Sequence, residues 1–155
     1  MLEAGATVAE FQLLDDQGKM VLWSQLRGKP VVVFFYPKAN TPGCTTESCA
    51  FTTLLADFEA KGVQLLGASA DAVKAQASFR DKYSLLMPLL SDPDHLILEP
   101  WGVWKEKTMY GRKSMGIQRS TFLFDGDGVL RHVWPNVKVD GHAEAVLKKV
   151  TELFG

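Results

Sequence analysis

An α/β domain with a mixed central sheet flanked by helices, and a β-hairpin added at its N-terminus, is the fold class that the sequence predicts. Three observations carry it. The run Val31-Val32-Val33-Phe34-Phe35 is continuous, β-branched and aromatic, as a strand buried on both faces requires. A helical stretch and a second apolar run, residues 63–68, follow it, so strand, helix and strand form a parallel crossover unit. Towards the C-terminus, residues 118–124 and 129–134 flank Asp125-Gly126-Asp127-Gly128, a strong hairpin signal that adds antiparallel pairing.

Each element has its own justification. Phe11-Gln12-Leu13-Leu14 and Met20-Val21-Leu22, joined by Asp15-Asp16-Gln17-Gly18-Lys19, read as the N-terminal hairpin. After the strand at 31–36, Thr41 and Pro42 suit the N-cap and first position of a helix. That helix runs to about Ala60, with Lys61-Gly62 as its C-cap. The strand at 63–68 leads to an amphipathic helix from Asp71 to about Lys82. Asp92-Pro93 is expected to start another short helix by the same cap-and-proline rule. After the second hairpin, Asp140 begins a closing helix with Ala143, Val146, Leu147, Val150 and Leu153 on one face. This order is the thioredoxin pattern with an N-terminal β addition. Without repeats, low-complexity tracts or linkers, residues 1–155 are expected to form a single domain.

Composition narrows the function classes. The chain is 46% hydrophobic and 23% charged, an ordinary soluble balance. Its net charge of −1, with no long basic run, gives no electrostatic footprint for nucleic acid or an anionic membrane. Met1-Leu2-Glu3-Ala4-Gly5 is neither basic nor apolar like a signal peptide, and no stretch is long and apolar enough to span a bilayer. A cytoplasmic location is expected. Two cysteines in such a chain argue for redox chemistry rather than a structural staple. No metal site is expected, because the spacing of the cysteines to His95, His132 and His142 does not make a compact cluster. These histidines read as surface or capping residues. Asp125-Gly126-Asp127-Gly128 lacks the downstream glutamate of a calcium loop and reads as a turn. Trp101, Trp104, Met109 and Tyr110 read as core or rim packing.

The most informative segment is Pro37-Lys38-Ala39-Asn40-Thr41-Pro42-Gly43-Cys44, with Cys49 five positions further on. It places Cys44 in the first turn of a helix at the end of a buried strand. A helix N-terminus has unsatisfied N–H groups and the positive end of the dipole, which favour a thiolate over a thiol.

Pro37, Thr41 and Cys44 match the P-x-x-x-T-x-x-C motif of peroxiredoxins, and Cys49 resembles the resolving cysteine of the peroxiredoxin Q, or bacterioferritin comigratory protein, group. The resemblance continues through Met109-Tyr110-Gly111-Arg112-Lys113, the block 116–122 and Trp134-Pro135-Asn136-Val137-Lys138-Val139; Ser114 departs from the tyrosine common at its position. It implies the same fold and a thiol peroxidase without cofactor, acting on hydrogen peroxide and alkyl hydroperoxides and recycled by thioredoxin or a similar dithiol. It further implies that Cys44 attacks the peroxide and that Cys49 resolves the sulfenic acid. Thr41, Arg119 and Pro37 would shape the site, and Glu47, three residues after Cys44 on the same helical face, would orient the guanidinium. With no further cysteine for cross-subunit resolution, a monomer is expected.

Ionisation alone explains little of such a reaction. Lowering a thiol pKa from ~8.5 to ~6 raises the thiolate fraction at neutral pH by roughly 30-fold, while the fall in nucleophilicity takes back roughly 13-fold. The site must act mainly on the transition state, aligning the peroxide and stabilising the departing oxygen. The N–H groups of Gly43 and Cys44, the Thr41 hydroxyl and Arg119 are the candidates. Resolution poses a geometric condition. Residues five apart in an intact helix have Cα atoms about 8.6 Å apart, beyond the ~7 Å limit for a disulfide. A Cys44–Cys49 bond therefore requires the helix to unwind. Two other classes are a thioredoxin-type disulfide oxidoreductase, whose cysteines lie two residues apart, and a redox-regulated binding protein; the five-residue spacing disfavours the first.

Overall fold

The structure, a computed structural model, describes residues 1–155 except for the side chain of Met109. In chain order the elements are β1 (Gln12–Leu14), β2 (Met20–Leu22), α1 (Trp23–Leu26), β3 (Val31–Phe35), α2 (Pro42–Ala60), β4 (Gln64–Ser69), α3 (Val73–Tyr83), β5 (Leu89–Ser91), β6 (Trp104–Met109), β7 (Arg112–Ile117), β8 (Ser120–Phe124), β9 (Leu130–Trp134) and α4 (His142–Phe154).

The apolar β3 has no polar side chain to present to water, and the fold buries every one of its residues. It lies inside a seven-stranded sheet of order β2-β1-β5-β4-β3-β8-β9. β3, β4 and β5 run parallel, and β8 returns antiparallel to β3 with Phe35 opposite Ser120. The two crossovers, through α2 and α3, step across the sheet in the same direction. Right-handed connections then put both helices on one face. There Phe51 and Phe58 of α2, Phe79 of α3 and Val146 and Val150 of α4 pack on Val32 and Phe34. Alternate residues of β3 point the other way. Val31, Val33 and Phe35 meet Phe11, Trp23 and Trp101, with Trp101 edge-on to Phe35 at 5.5 Å. Gly67 of β4 makes the helical face possible, because a Cβ there would stand 2.9 Å from Leu89 Cδ2 and 3.0 Å from Phe34 Cζ.

Four expectations change. β5 is a third parallel strand, which the predicted order omits. The region 104–117 forms its own two-stranded hairpin, β6–β7. Asp92 starts no helix: it is buried, and its carboxylate accepts the N–H groups of Leu96 (2.7 Å), Ile97 (2.9 Å) and Leu98 (3.0 Å), which folds the segment into turns. Tyr110 packs against no core, being 98% exposed at the tip of the β6–β7 hairpin, whereas Trp101 is buried. The Met109 side chain, also expected in packing, lies outside the described residues. Among the described residues no helix is long and apolar enough to cross a membrane.

Candidate active site

The site forms where β3 ends. The chain leaves the strand through buried Tyr36 and half-buried Pro37 and turns through Asn40 in the left-handed region (φ 62°), which a short amide side chain tolerates. It enters α2 at Thr41, whose backbone is extended (φ −98°, ψ 157°) as an N-cap requires. The Thr41 side chain makes no capping bond. Its hydroxyl instead donates to the Lys38 carbonyl at 2.8 Å, which leaves the oxygen able to accept. Thr45 makes the first helical bond back to Thr41 (2.9 Å), so the N–H groups of Gly43 and Cys44 belong to the unpaired first turn.

Cys44 is fully buried. Arg119, on the link between β7 and β8, donates from Nη2 to Cys44 Sγ at 3.3 Å and from Nη1 to Glu47 Oε1 at 2.7 Å. The Val137 N–H, 2.7 Å from the Arg119 carbonyl, fixes the backbone beneath it. Glu47 is 1% exposed and its second oxygen has no protein partner. Burial pushes its carboxyl up to about 7, with Arg119 pulling it back down. Burial also works against the Arg119 charge, but Glu47 and Cys44 outweigh it and hold the guanidinium above its ordinary range. Gly43 gives the guanidinium room, since a Cβ there would lie 3.2 Å from Arg119 Nη2. Cys49 is half-buried further along the intact α2, and both thiols are free.

Sequence reasoning did not find the groups that hold this constellation. Asp71 accepts the Ala39 N–H at 2.8 Å, and Asn40 accepts the Tyr83 hydroxyl at 2.9 Å, so the loop before α2 is tied to α3 and its leading turn. Behind Asp71 stand Ser69 and Gln76, the latter receiving the Tyr36 hydroxyl. The polar pair Ser69 and Asp71, at the carboxyl end of a buried strand where α/β sheets place their sites, was the available signal. His142, expected as a surface or capping residue, is the first residue of α4 and is buried there, sharing a 2.7 Å hydrogen bond with Thr121.

A buried thiol on a helix N-terminus, bridged by one guanidinium to a buried carboxylate, can present sulfur to a small oxidant and stabilise negative charge beside it. Residues 4–133 match the model of the AhpC/TSA family. The chain belongs to that family, and it is a thiol-dependent peroxidase of the peroxiredoxin class. Among its relatives within the class are proteins named Bcp and PrxQ. Peroxiredoxin Bcp of Escherichia coli K12 is 39% identical over 97% of both chains, and a Coxiella burnetii chain carrying the name bcp is 45% identical over 96% of this chain and 99% of its own. Among solved structures, a cysteine-to-serine mutant of Xylella fastidiosa PrxQ superposes with a TM-score of 0.94 at 38% identity, covering 98% of this chain and 97% of that one. The Xanthomonas campestris bacterioferritin comigratory protein, studied for alkyl peroxide reduction, gives 0.90 at 39% identity over 94% and 92%.

Proposed function

We propose that Cys44 is the peroxidatic cysteine and that Cys49 resolves it within the same chain. The observation that carries this reading is the contact of Arg119 with Cys44 Sγ at 3.3 Å, braced on its far side by Glu47. The Cys44 thiolate attacks the nearer oxygen of hydrogen peroxide or an alkyl hydroperoxide. The S–O bond forms as the O–O bond breaks, and the departing oxide takes a proton and leaves as water or alcohol. The Arg119 guanidinium and the N–H groups of Gly43 and Cys44 stabilise the charge that develops on these oxygens, and the Thr41 hydroxyl, whose proton goes to the Lys38 carbonyl, accepts from the peroxide. Pro37 ends the strand and sets the loop that delivers Thr41.

The Cys49 sulfur then attacks the sulfenic sulfur. An S–S bond forms, the S–O bond breaks, and the hydroxide leaves as water. Two electrons and two protons from thioredoxin or a similar dithiol restore both thiols. In this reading the chain works as one domain, as a monomer and in the cytoplasm. Thiol counting with rapid mixing tests it. Cys44→Ser is expected to abolish peroxide consumption, while Cys49→Ser consumes one equivalent and stops at the sulfenic acid. Full turnover by Cys44→Ser would reject the assignment.

A further inference from the structure

Just after Cys44, α2 buries three polar atoms that no protein group meets: Thr45 Oγ1, Glu47 Oε2 and Ser48 Oγ. Two other hydroxyls of this helix bond to the carbonyl four residues back, Thr46 to Pro42 (3.0 Å) and Thr53 to Cys49 (3.0 Å). Ser48, fully buried, makes no such bond. A buried polar atom without a partner is uncommon in folded proteins, and its cost is recovered once water reaches it.

The flanks are anchored. Beyond Cys49, Phe51 is fully buried and stacks on Phe34 with ring centroids 4.4 Å apart. Before Thr41, Ala39 is held by Asp71 and Asn40 by Tyr83. A weak segment carrying both cysteines thus lies between two fixed ends.

We propose that residues 42–50 are a bounded unfolding unit in which the buried hydroxyl of Ser48 sets how readily the helix opens, and so how fast Cys49 reaches the oxidised Cys44. The inference rests on the intramolecular resolution proposed above. Resolution proceeds from the opened minority, so its rate scales with the opening equilibrium. Hydration of Thr45, Glu47 and Ser48 drives that opening. While the segment is closed, a second peroxide can add another oxygen to the sulfenic acid, giving sulfinic acid and water or alcohol. Ser48 therefore biases the partition of Cys44 between recycling and over-oxidation.

Ser48→Ala removes the hydroxyl and little else. Stopping the reaction by alkylation at set times and reading thiols and sulfinic acid by mass spectrometry separates the phases. The bimolecular step with hydrogen peroxide is expected to keep its wild-type rate. Disulfide formation should slow about tenfold, and the sulfinic fraction at excess peroxide should rise. Alanine also favours a helix, so Thr46→Ala, at an exposed hydroxyl on the same segment, calibrates that effect at about threefold or less. In the reduced protein, Ser48→Ala should also gain about tenfold in amide protection over residues 45–50. If the wild type forms no Cys44–Cys49 disulfide, the resolution reading falls and this inference with it. If the wild type resolves and Ser48→Ala does so no more slowly than Thr46→Ala, only this inference is overturned.

Discussion

At the scale of single residues, Arg119 joins the two contacts on which the proposed chemistry rests. It touches the sulfur and is itself held by Glu47, a carboxylate buried three residues along the same helix. The planar fork matters: one nitrogen serves Cys44 while the other serves Glu47. A lysine ammonium carries the charge but cannot span both positions. Arg119→Lys is therefore expected to fold and to retain Cys49 resolution, while the second-order rate with peroxide falls about 10²–10³-fold. An unchanged rate in rapid-mixing kinetics would remove Arg119 from the reaction. Glu47 gains nothing from its own burial, which raises its carboxyl to about 7, so it has to be explained by its partner. Removing one member of such a buried pair costs about 3–5 kcal/mol because the other charge is left uncompensated.

At the scale of elements, α4 carries a second polar contact into the core. Its first residue, His142, is buried against Phe51 of α2 and Trp134 of β9 and bonded to Thr121 of β8. Burial lowers its ring to about 4, and the nearby Arg119 acts in the same direction, against a weaker pull from Glu144. A base depressed on folding stabilises the fold fully above its unfolded value of about 6.5 and loses that contribution as pH falls through the folded value. The stability gap between the wild type and His142→Asn, measured by urea unfolding, should shrink on acidification from about pH 6.5 to 4. A gap independent of pH would mean that His142 accepts its proton without loss in the folded state. The opposite sign applies to Glu47, a raised acid whose contribution is present below about pH 4.5 and lost as pH rises through about 7, so the two groups partly offset each other in whole-protein titrations.

At the scale of the whole molecule, the elements legible in the sequence were those with strong local signals. β3 is an unbroken apolar run, α2 opens on Thr41-Pro42, and Asp125-Gly126-Asp127-Gly128 closes a hairpin. The omitted strand β5 is three residues long and follows Pro88, so only its pairing with β4 and β1 defines it. The β6–β7 hairpin alternates little and leaves most of β7 exposed, so it gives no period-two pattern to read. The Asp92 signal failed because a carboxylate can cap a run of turns as well as a helix. Within the site, Cys44 and Thr41 follow from local spacing. The pairing of Arg119 with Cys44 spans 75 positions, and only the family resemblance pointed to it. The weak interior of α2 was invisible for a further reason: Thr45 and Ser48 look like ordinary helix-surface residues until the fold buries their hydroxyls.

The proposed resolution by Cys49 requires α2 to yield while the rest of the fold holds. In the intact helix the two cysteines are held about 8.6 Å apart at Cα, too far for a disulfide, and opening a turn costs only local bonds and packing. Hydrogen exchange read by mass spectrometry, on the wild-type protein reduced and after one equivalent of hydrogen peroxide, measures this directly. Disulfide mapping of the same samples identifies the bond. The predicted result is a Cys44–Cys49 link with faster exchange across residues 43–51 and unchanged protection in α4. A Cys44–Cys49 link with α2 still fully protected, or oxidation that leaves Cys49 a free thiol, would contradict it.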